Sequence, residues 1–305
     1  MPLDKADKIW MNGEFVDWDK AQVHVLTHAL HYGSGVFEGI RAYETPRGTA
    51  VFRLTEHMER LFNSAKVYIM PMPYTVAELV EATKELVRAN NFSSCYIRPI
   101  AYRGYGEMGI NPLNSKVDMA IAAWYWGSYL GDEGLEHGIR AMISSFRRID
   151  PNSLPPAAKA TGQYINSILA KMEAIHSNYE EAILLDARGF VSEGTGENLF
   201  VVKNGIIHTP STSASILEGI TRDTVVTLAE DLGYEVVERD LVRTDLFLAD
   251  ELFVTGTAAE ITPIREVDKR VIGEPGPVTK ALQEKFFSVV KGEDEKYAHW
   301  LEYVG

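Results

Sequence analysis

Lys159 stands in PPAAKATGQYIN, residues 155–166, among alanines, with Pro155 and Pro156 before it and Tyr164 after it. The nearest charged residues in sequence are Asp150 and Lys171. Two readings are open: a lysine whose stem crosses a small-residue turn to reach water, or an amine kept from other charges, where desolvation favours the neutral, nucleophilic form. Other stretches supply groups with which such an amine could work. Glu193 in FVSEGTGENLF directly follows a strand pattern, among glycines that let backbone approach a ligand, with Asn198 able to orient the neighbouring loops. LEGITRD, residues 217–223, puts Gly219, Ile220 and Thr221 at a helix start, where N–H groups and the helix dipole attract phosphate. VTGTAAE, residues 254–260, offers a second small-residue turn, Gly256-Thr257-Ala258. An enzyme using pyridoxal 5'-phosphate needs this set: a lysine for the Schiff base, a carboxylate that keeps the ring nitrogen protonated, and donors for a phosphate dianion.

The elements that must position these groups alternate irregularly. Asn12-Gly13 and Asn204-Gly205 each sit between short alternating runs, the pattern of a tight hairpin. RAYETPRGTAVFRL reads as two more strands around a turn. Met58, Leu61, Phe62 and Ala65 recur at helical spacing, and Thr75 with Glu78 forms a capping box before the next helix. CYIRPIAYR and VDMAIAAWYW read as strands, the second so apolar that burial on both faces is expected. GSYLGDEGLEHG, residues 127–138, lacks a period and reads as an interdomain loop. Beyond it come a strand, IRAMISSFRR, and a helix after Lys159 expected to bury Ile165, Ile168, Leu169, Met172 and Ile175. Further strands follow, with a helix from about Thr221 to Gly233 and a last helix VTKALQEKFFSVV. The mixture predicts α+β domains rather than one doubly wound sheet: residues 1–126, the loop 127–138, and residues 139–305.

Composition limits the function. A chain of 305 residues has room for two domains, and a net charge of -13 argues against nucleic acid or anionic membrane as partner. One cysteine, Cys95, fits a reducing compartment, and the polar start MPLDKADKIW has no signal-peptide character, so a cytoplasmic protein is expected.

Two motifs are set aside. GYGEMG, residues 104–109, has dinucleotide-fingerprint spacing, but Asn111 and Pro112 oppose the helix that would hold a pyrophosphate. His24, His28 and His31 could converge on a metal if helical, yet no acidic or cysteine ligand flanks them, and no metal is expected. Tyr32, Phe37, Gly39 and Arg41, just downstream, form an aromatic and cationic mixture suited to a pocket wall.

The run E-G-T-G-E-N-L-F from Glu193, followed by I-x-T and L-E-G-I-T-R ending at Arg222, resembles the signature of the class IV pyridoxal-phosphate aminotransferases. ELFVTGTAAEITPI, PPAAKATGQYINS, HALHYGSGVFEGIRAY and YIRPIAYRGYGEMGINP extend the likeness over essentially the whole chain, toward the branched-chain-amino-acid type. The resemblance implies fold type IV, with a smaller N-terminal α/β domain and a larger C-terminal pseudo-barrel. It implies a ping-pong transamination between leucine, isoleucine or valine and 2-oxoglutarate, with Lys159 as Schiff-base lysine and proton shuttle. Glu193 would pair with the ring nitrogen, Tyr164 with the ring hydroxyl, and Arg60 with the phosphate alongside Ile220, Thr221 and Thr257. Leu217, Gly219 and Gly256 complete the implied cofactor set.

For substrate, the resemblance implies that backbone N–H groups of Thr257 and Ala258, with Tyr96, hold the α-carboxylate, and that Arg98 recognises the distal carboxylate of glutamate. Phe37, Tyr32, Trp126, Tyr129 and Tyr164 would wall the side chain, with Tyr32 and Tyr129 shielding Arg98. Thr195 stands where the family often has alanine. A homodimer or higher homo-oligomer is implied, and D-amino-acid or (R)-amine transaminases share the cofactor-binding half.

Overall fold

Asn12 and Gly13 take positive φ, 49° and 92°, as do Asn204 and Gly205, 52° and 78°, so both dipeptides make the hairpins that their sequences predict. The computed structural model describes residues 3–127 and 130–305; Tyr129, expected in the substrate wall, lies outside the described residues. The chain divides into two compact units: 1–126 with 158–162 and 288–305, and 127–157 with 163–287. Two segments expected in the second domain differ: the stretch around Lys159 and the C-terminal residues group with the first unit.

In the first unit, strands β1 (Lys8–Met11), β2 (Glu14–Asp17), β3 (Gly35–Phe37), β4 (Ile40–Thr45), β5 (Gly48–Phe52), β6 (Cys95–Arg103) and β7 (Val117–Trp124) join Leu301–Tyr303 in one sheet. Its order runs Leu301–Tyr303, β5, β4, β6, β7, β1, β2, with β3 also on β6. Helices α1 (His28–Tyr32), α2 (Leu54–Val67) and α3 (Val76–Ala89) accompany it. Thr75 and Glu78 close the predicted capping box on α3. Met58, Leu61 and Ala65 of α2 and Leu79 and Leu86 of α3 pack with Ile97, Met119 and Ile121 in the core. β7 is not buried on both faces as its composition predicts: Met119, Ile121 and Ala123 are buried, while Ala120 and Ala122 between them are half-buried. Alanine is small enough to serve either face, so composition alone overstates the burial.

In the second unit, α4 (Asp132–His137) forms within the expected loop, and a second sheet contains β8 (Ile139–Arg147), β9 (Glu181–Leu185), β10 (Asn198–Lys203), β11 (Ile206–Thr209), β12 (Val236–Glu238), β13 (Glu251–Gly256), β14 (Glu260–Val267) and β15 (Arg270–Val271). α5 (Tyr164–His176), α6 (Ile220–Asp231), α7 (Arg243–Phe247) and α8 (Pro277–Val290) are the helices that go with it. β8–β9, β8–β14 and β11–β12 are parallel pairs. The core gathers Ile143, Ile183, Leu199, Leu252, Val254 and Ile264.

α5 turns its other face inward. Ala170 and Ala174 pack with Ala182 and Leu184, whereas Ile165, Ile168, Leu169, Met172 and Ile175, expected in the core, are exposed. Small side chains let the helix backbone lie close to β8 and β9, so the alanine stripe wins the inner position. No helix among the described residues is long and apolar enough to cross a membrane.

Candidate active site

Lys159 is held by its backbone. Its N–H donates to Ser64 Oγ of α2 at 3.0 Å, its carbonyl accepts from Phe37 N–H of β3 at 3.0 Å, and Ala160 bridges Val36. Thr161 Oγ1 donates to Gly33 O at 2.8 Å. Gly33, at φ 64°, approaches Gly162 so closely that a Cβ on Gly33 would lie 2.7 Å from Gly162 Cα. The small residues around Lys159 are therefore those that let this segment dock on β3. The lysine is half-buried, with Nζ 5.2 Å from the centre of the Phe37 ring.

The same ring links Lys159 to a second cation. The Arg98 guanidinium lies 4.8 Å from the Phe37 ring, 5.3 Å from Tyr96 and 5.8 Å from Trp124. Arg98 Nη2 donates to Tyr96 Oη at 3.2 Å, while among the described residues its buried Nε and the indole N–H of Trp124 have no hydrogen-bond partner. Trp126 meets Tyr96 edge-on at 4.5 Å, and Gly39 sits against the Tyr96 phenol, leaving no room for a Cβ. Tyr32 is 47% exposed and packs on His28 at 4.6 Å, and the rings that lie over Arg98 are Phe37, Tyr96 and Trp124. His28 spans Ser34 Oγ and Gly109 O, and His31 reaches Val25 O, so these two histidines serve separate local contacts.

Arg60 of α2 is fixed by Glu38, through Nε to Oε1 at 2.7 Å and Nη2 to Oε2 at 2.8 Å. Burial opposes ionisation of Glu38, but the charge and hydrogen bonds of Arg60, with the hydrogen bond of His57, outweigh it and hold this carboxyl well below the usual carboxylate range. Burial pushes the His57 imidazole down despite Glu38, so His57 is neutral and donates from Nδ1 to Glu38 Oε2 at 2.8 Å, a hydrogen bond rather than an ion pair.

In the second unit, Glu193 is buried and receives converging donors. Leu217 N–H donates to Oε2 at 3.0 Å, Asn198 Nδ2 donates to Oε2 at 3.1 Å, and Arg148 Nε lies 2.7 Å from Oε1. Asn198 Nδ2 also reaches Leu217 O at 2.9 Å, tying the loop of Glu193 to the approach to α6. Gly219, the N-cap of α6, carries no cap side chain, and a Cβ on it would collide with Asn198 Oδ1. The first turn of this 12-residue helix, with Ile220 and Thr221, receives no hydrogen bond from an N-cap side chain. Asn198 pairs with Thr255 across β10 and β13, which sets the Gly256-Thr257-Ala258 turn at the same end of the sheet. Thr255 Oγ1, at the base of this turn, is buried without a hydrogen-bond partner among the described residues. Tyr164 opens α5 and is half-buried. Within this unit, a buried carboxylate, a helix start without an N-cap side chain and a small-residue turn with a buried hydroxyl at its base fit the ring nitrogen and phosphate of pyridoxal 5'-phosphate.

Residues 35–267 match the family model described as amino-transferase class IV. The chain belongs to that family. It is similar to the branched-chain-amino-acid aminotransferase of Escherichia coli (strain K12), 52% identical over 307 residues that span 100% of this chain and 99% of the other. The crystal structure of the Escherichia coli enzyme superposes with a TM-score of 0.97, covering 99% and 100% of the two chains at 52% identity, so the architecture is fold type IV. A second branched-chain amino acid aminotransferase, that of T.th., has been solved in complex with N-(5'-phosphopyridoxyl)-L-glutamate (TM-score 0.94, 50% identity, 99% of each chain). It has also been solved with 4-methylvaleric acid (TM-score 0.94, 49% identity, 99% of each chain).

Several residues of this class IV aminotransferase escape a reading of its sequence. Glu38 carries a signal, a lone acid inside the apolar run GVFEGI, and His57 stands three residues before Arg60 on one helix face. Trp124 reads as core, yet its ring covers Arg98. Arg148 follows Arg147 in a polar stretch and gives no sign of being 8% exposed against Glu193. Thr195 is buried, and its N–H donates to Glu181 Oε1 at 3.3 Å.

Proposed function

We propose that this chain is a pyridoxal 5'-phosphate-dependent transaminase moving the amino group between branched-chain L-amino acids (Leu, Ile, Val) and 2-oxoglutarate in a ping-pong reaction. The observation carrying the substrate assignment is Arg98 beneath aromatic rings: apolar side chains can lie on the faces of Phe37, Tyr96 and Trp126, while the guanidinium can meet a distal carboxylate. A relative solved in complex with N-(5'-phosphopyridoxyl)-L-glutamate and with 4-methylvaleric acid supports the same dual use.

Bound pyridoxal phosphate supplies an electron sink for the charge developed at the substrate Cα. Lys159 holds the cofactor through Nζ and, once displaced, moves the proton between substrate Cα and cofactor C4'. Glu193 keeps the ring nitrogen protonated, and Tyr164 bonds the ring hydroxyl. Arg60, the first turn of α6 (Ile220, Thr221) and Thr257 hold the phosphate, with Leu217, Gly219 and Gly256 shaping the backbone around it. N–H groups of Thr257 and Ala258, with Tyr96, bind the substrate α-carboxylate. A single cysteine and a charge of -13 support a cytoplasmic enzyme, and the exposed apolar stripe of α5 supports a homo-oligomer.

Half-reactions followed by cofactor absorbance test the reading with L-leucine, L-glutamate, D-alanine and (R)-1-phenylethylamine. The two L-amino acids are expected to react fastest, and Lys159→Ala to abolish the reaction. D-alanine or the amine outpacing both would overturn the substrate class.

A further inference from the structure

Arg148 is a buried cation that none of the roles above uses. Its Nε lies 2.7 Å from Glu193 Oε1, and side-chain exposure is 8% for the arginine and 7% for the glutamate. The approach is close but poorly aligned, since Nε–H meets no hydrogen-bond geometry, so the contact acts through charge more than through a directed hydrogen bond. Leu217 N–H and Asn198 Nδ2 fix the carboxylate through its other oxygen. The position of Glu193 therefore does not depend on Arg148 alone, and the charge is what Arg148 adds.

A guanidinium touching a carboxylate changes how that carboxylate shares a proton. Two cations bound to one carboxylate stand nearer to it than to each other, and the interaction falls with distance. The charge of Arg148 thus opposes protonation of Glu193 more strongly than protonation of a ring nitrogen bound to Glu193. The next acid does not cancel it: burial, then the Glu181 carboxylate, push Glu197 up to about 8, so Glu197 is mostly neutral at pH 7.

We propose that Arg148 is a positioning residue for the proton between Glu193 and the cofactor, holding it on the ring nitrogen rather than on the carboxylate. A neutral ring nitrogen would weaken the electron sink while leaving the cofactor bound. This rests on the pairing of Glu193 with the ring nitrogen proposed above.

The test is ¹⁵N NMR of the holoenzyme loaded with ring-¹⁵N-labelled pyridoxal phosphate at pH 7. Wild type is expected to show a pyridinium resonance, Arg148→Gln a resonance moved toward neutral pyridine with cofactor still bound, and Arg148→Lys a return to the wild-type position. Arg148→Met gives the same comparison should the glutamine variant not fold. A pyridinium resonance unchanged in Arg148→Gln or Arg148→Met overturns the inference, as does a wild-type ring nitrogen that is already neutral. Glu193→Gln separates the two readings. If it too leaves the pyridinium unchanged, the pairing of Glu193 with the ring fails; if it alone abolishes the pyridinium, only the role of Arg148 fails.

Discussion

Glu38 grips Arg60 with two parallel hydrogen bonds, Nε to Oε1 at 2.7 Å and Nη2 to Oε2 at 2.8 Å, and the carboxylate is fully buried. The fork fixes the plane of the guanidinium that the proposed function assigns to the phosphate. Glu38→Gln keeps the size but removes the charge, stranding a cation that is only 14% exposed. Breaking a buried pair costs about 3–5 kcal/mol, so a drop of that order in denaturant-derived stability is expected, with weaker retention of pyridoxal phosphate on dialysis. Because the folded carboxyl is held below its ordinary range, its contribution is present above the unfolded value, 4.5, and is lost as pH falls below it. Wild-type stability should therefore fall more steeply than that of the variant below that pH. Parallel acid-limb slopes would refute the assignment.

Arg98 lies against the Phe37, Tyr96 and Trp124 rings, so Arg98→Met replaces a cation by an apolar chain within an aromatic surround. A hydrogen bond to a charged group contributes about 1.5–3 kcal/mol, which translates to roughly 10–100-fold in kcat/KM. That loss is expected for L-glutamate and 2-oxoglutarate, with L-leucine changed by only a few fold. Equal losses for both substrates in the half-reaction assay would show that Arg98 serves the pocket only as structure.

Glu197 concerns pH. Burial and the Glu181 carboxylate raise it from 4.5 to about 8, so the folded state keeps a proton that the unfolded chain releases between those values. Stability attributable to this group falls as pH rises through that window, by at most about 1.4 kcal/mol per pH unit, and is level outside it. Glu197→Gln has no such proton to lose. Its stability relative to wild type, from urea unfolding at several pH values, should improve from pH 5 to pH 8 and then stay constant.

The residues with intrinsic chemical or conformational meaning were the legible ones. Asn-Gly pairs, the capping box and the glycine-rich run after Glu193 carry local physics that any context preserves, and their elements form where the sequence puts them. Contacts that depend on distant packing were not legible. Nothing in a linear string says that residues 158–162 dock on β3. Periodicity picks out an apolar stripe on α5 and cannot say that the alanine stripe is the one turned inward. Charged partners such as Glu38 on Arg60 and Arg148 on Glu193 are 22 and 45 residues apart in sequence and meet only in the fold.

Gly39 joins the two kinds of information, because its role is steric and visible only in three dimensions. A Cβ there would collide with the Tyr96 phenol, whose oxygen accepts from Arg98 Nη2 at 3.2 Å. Gly39→Ala must therefore displace Tyr96, at an overpacking cost of about 1–3 kcal/mol, and loosen Arg98 with it. The KM for glutamate should rise more than that for leucine, since the carboxylate needs Arg98 aligned and the apolar chain does not. Removing the phenolic oxygen takes away the nearest colliding atom and leaves Cζ at 2.9 Å, a contact that a small shift can relieve. Gly39→Ala with Tyr96→Phe should then melt above Gly39→Ala alone, although Tyr96→Phe by itself removes a hydrogen bond. A double variant no more stable than Gly39→Ala would mean that the added methyl group is accommodated by backbone movement and not by Tyr96.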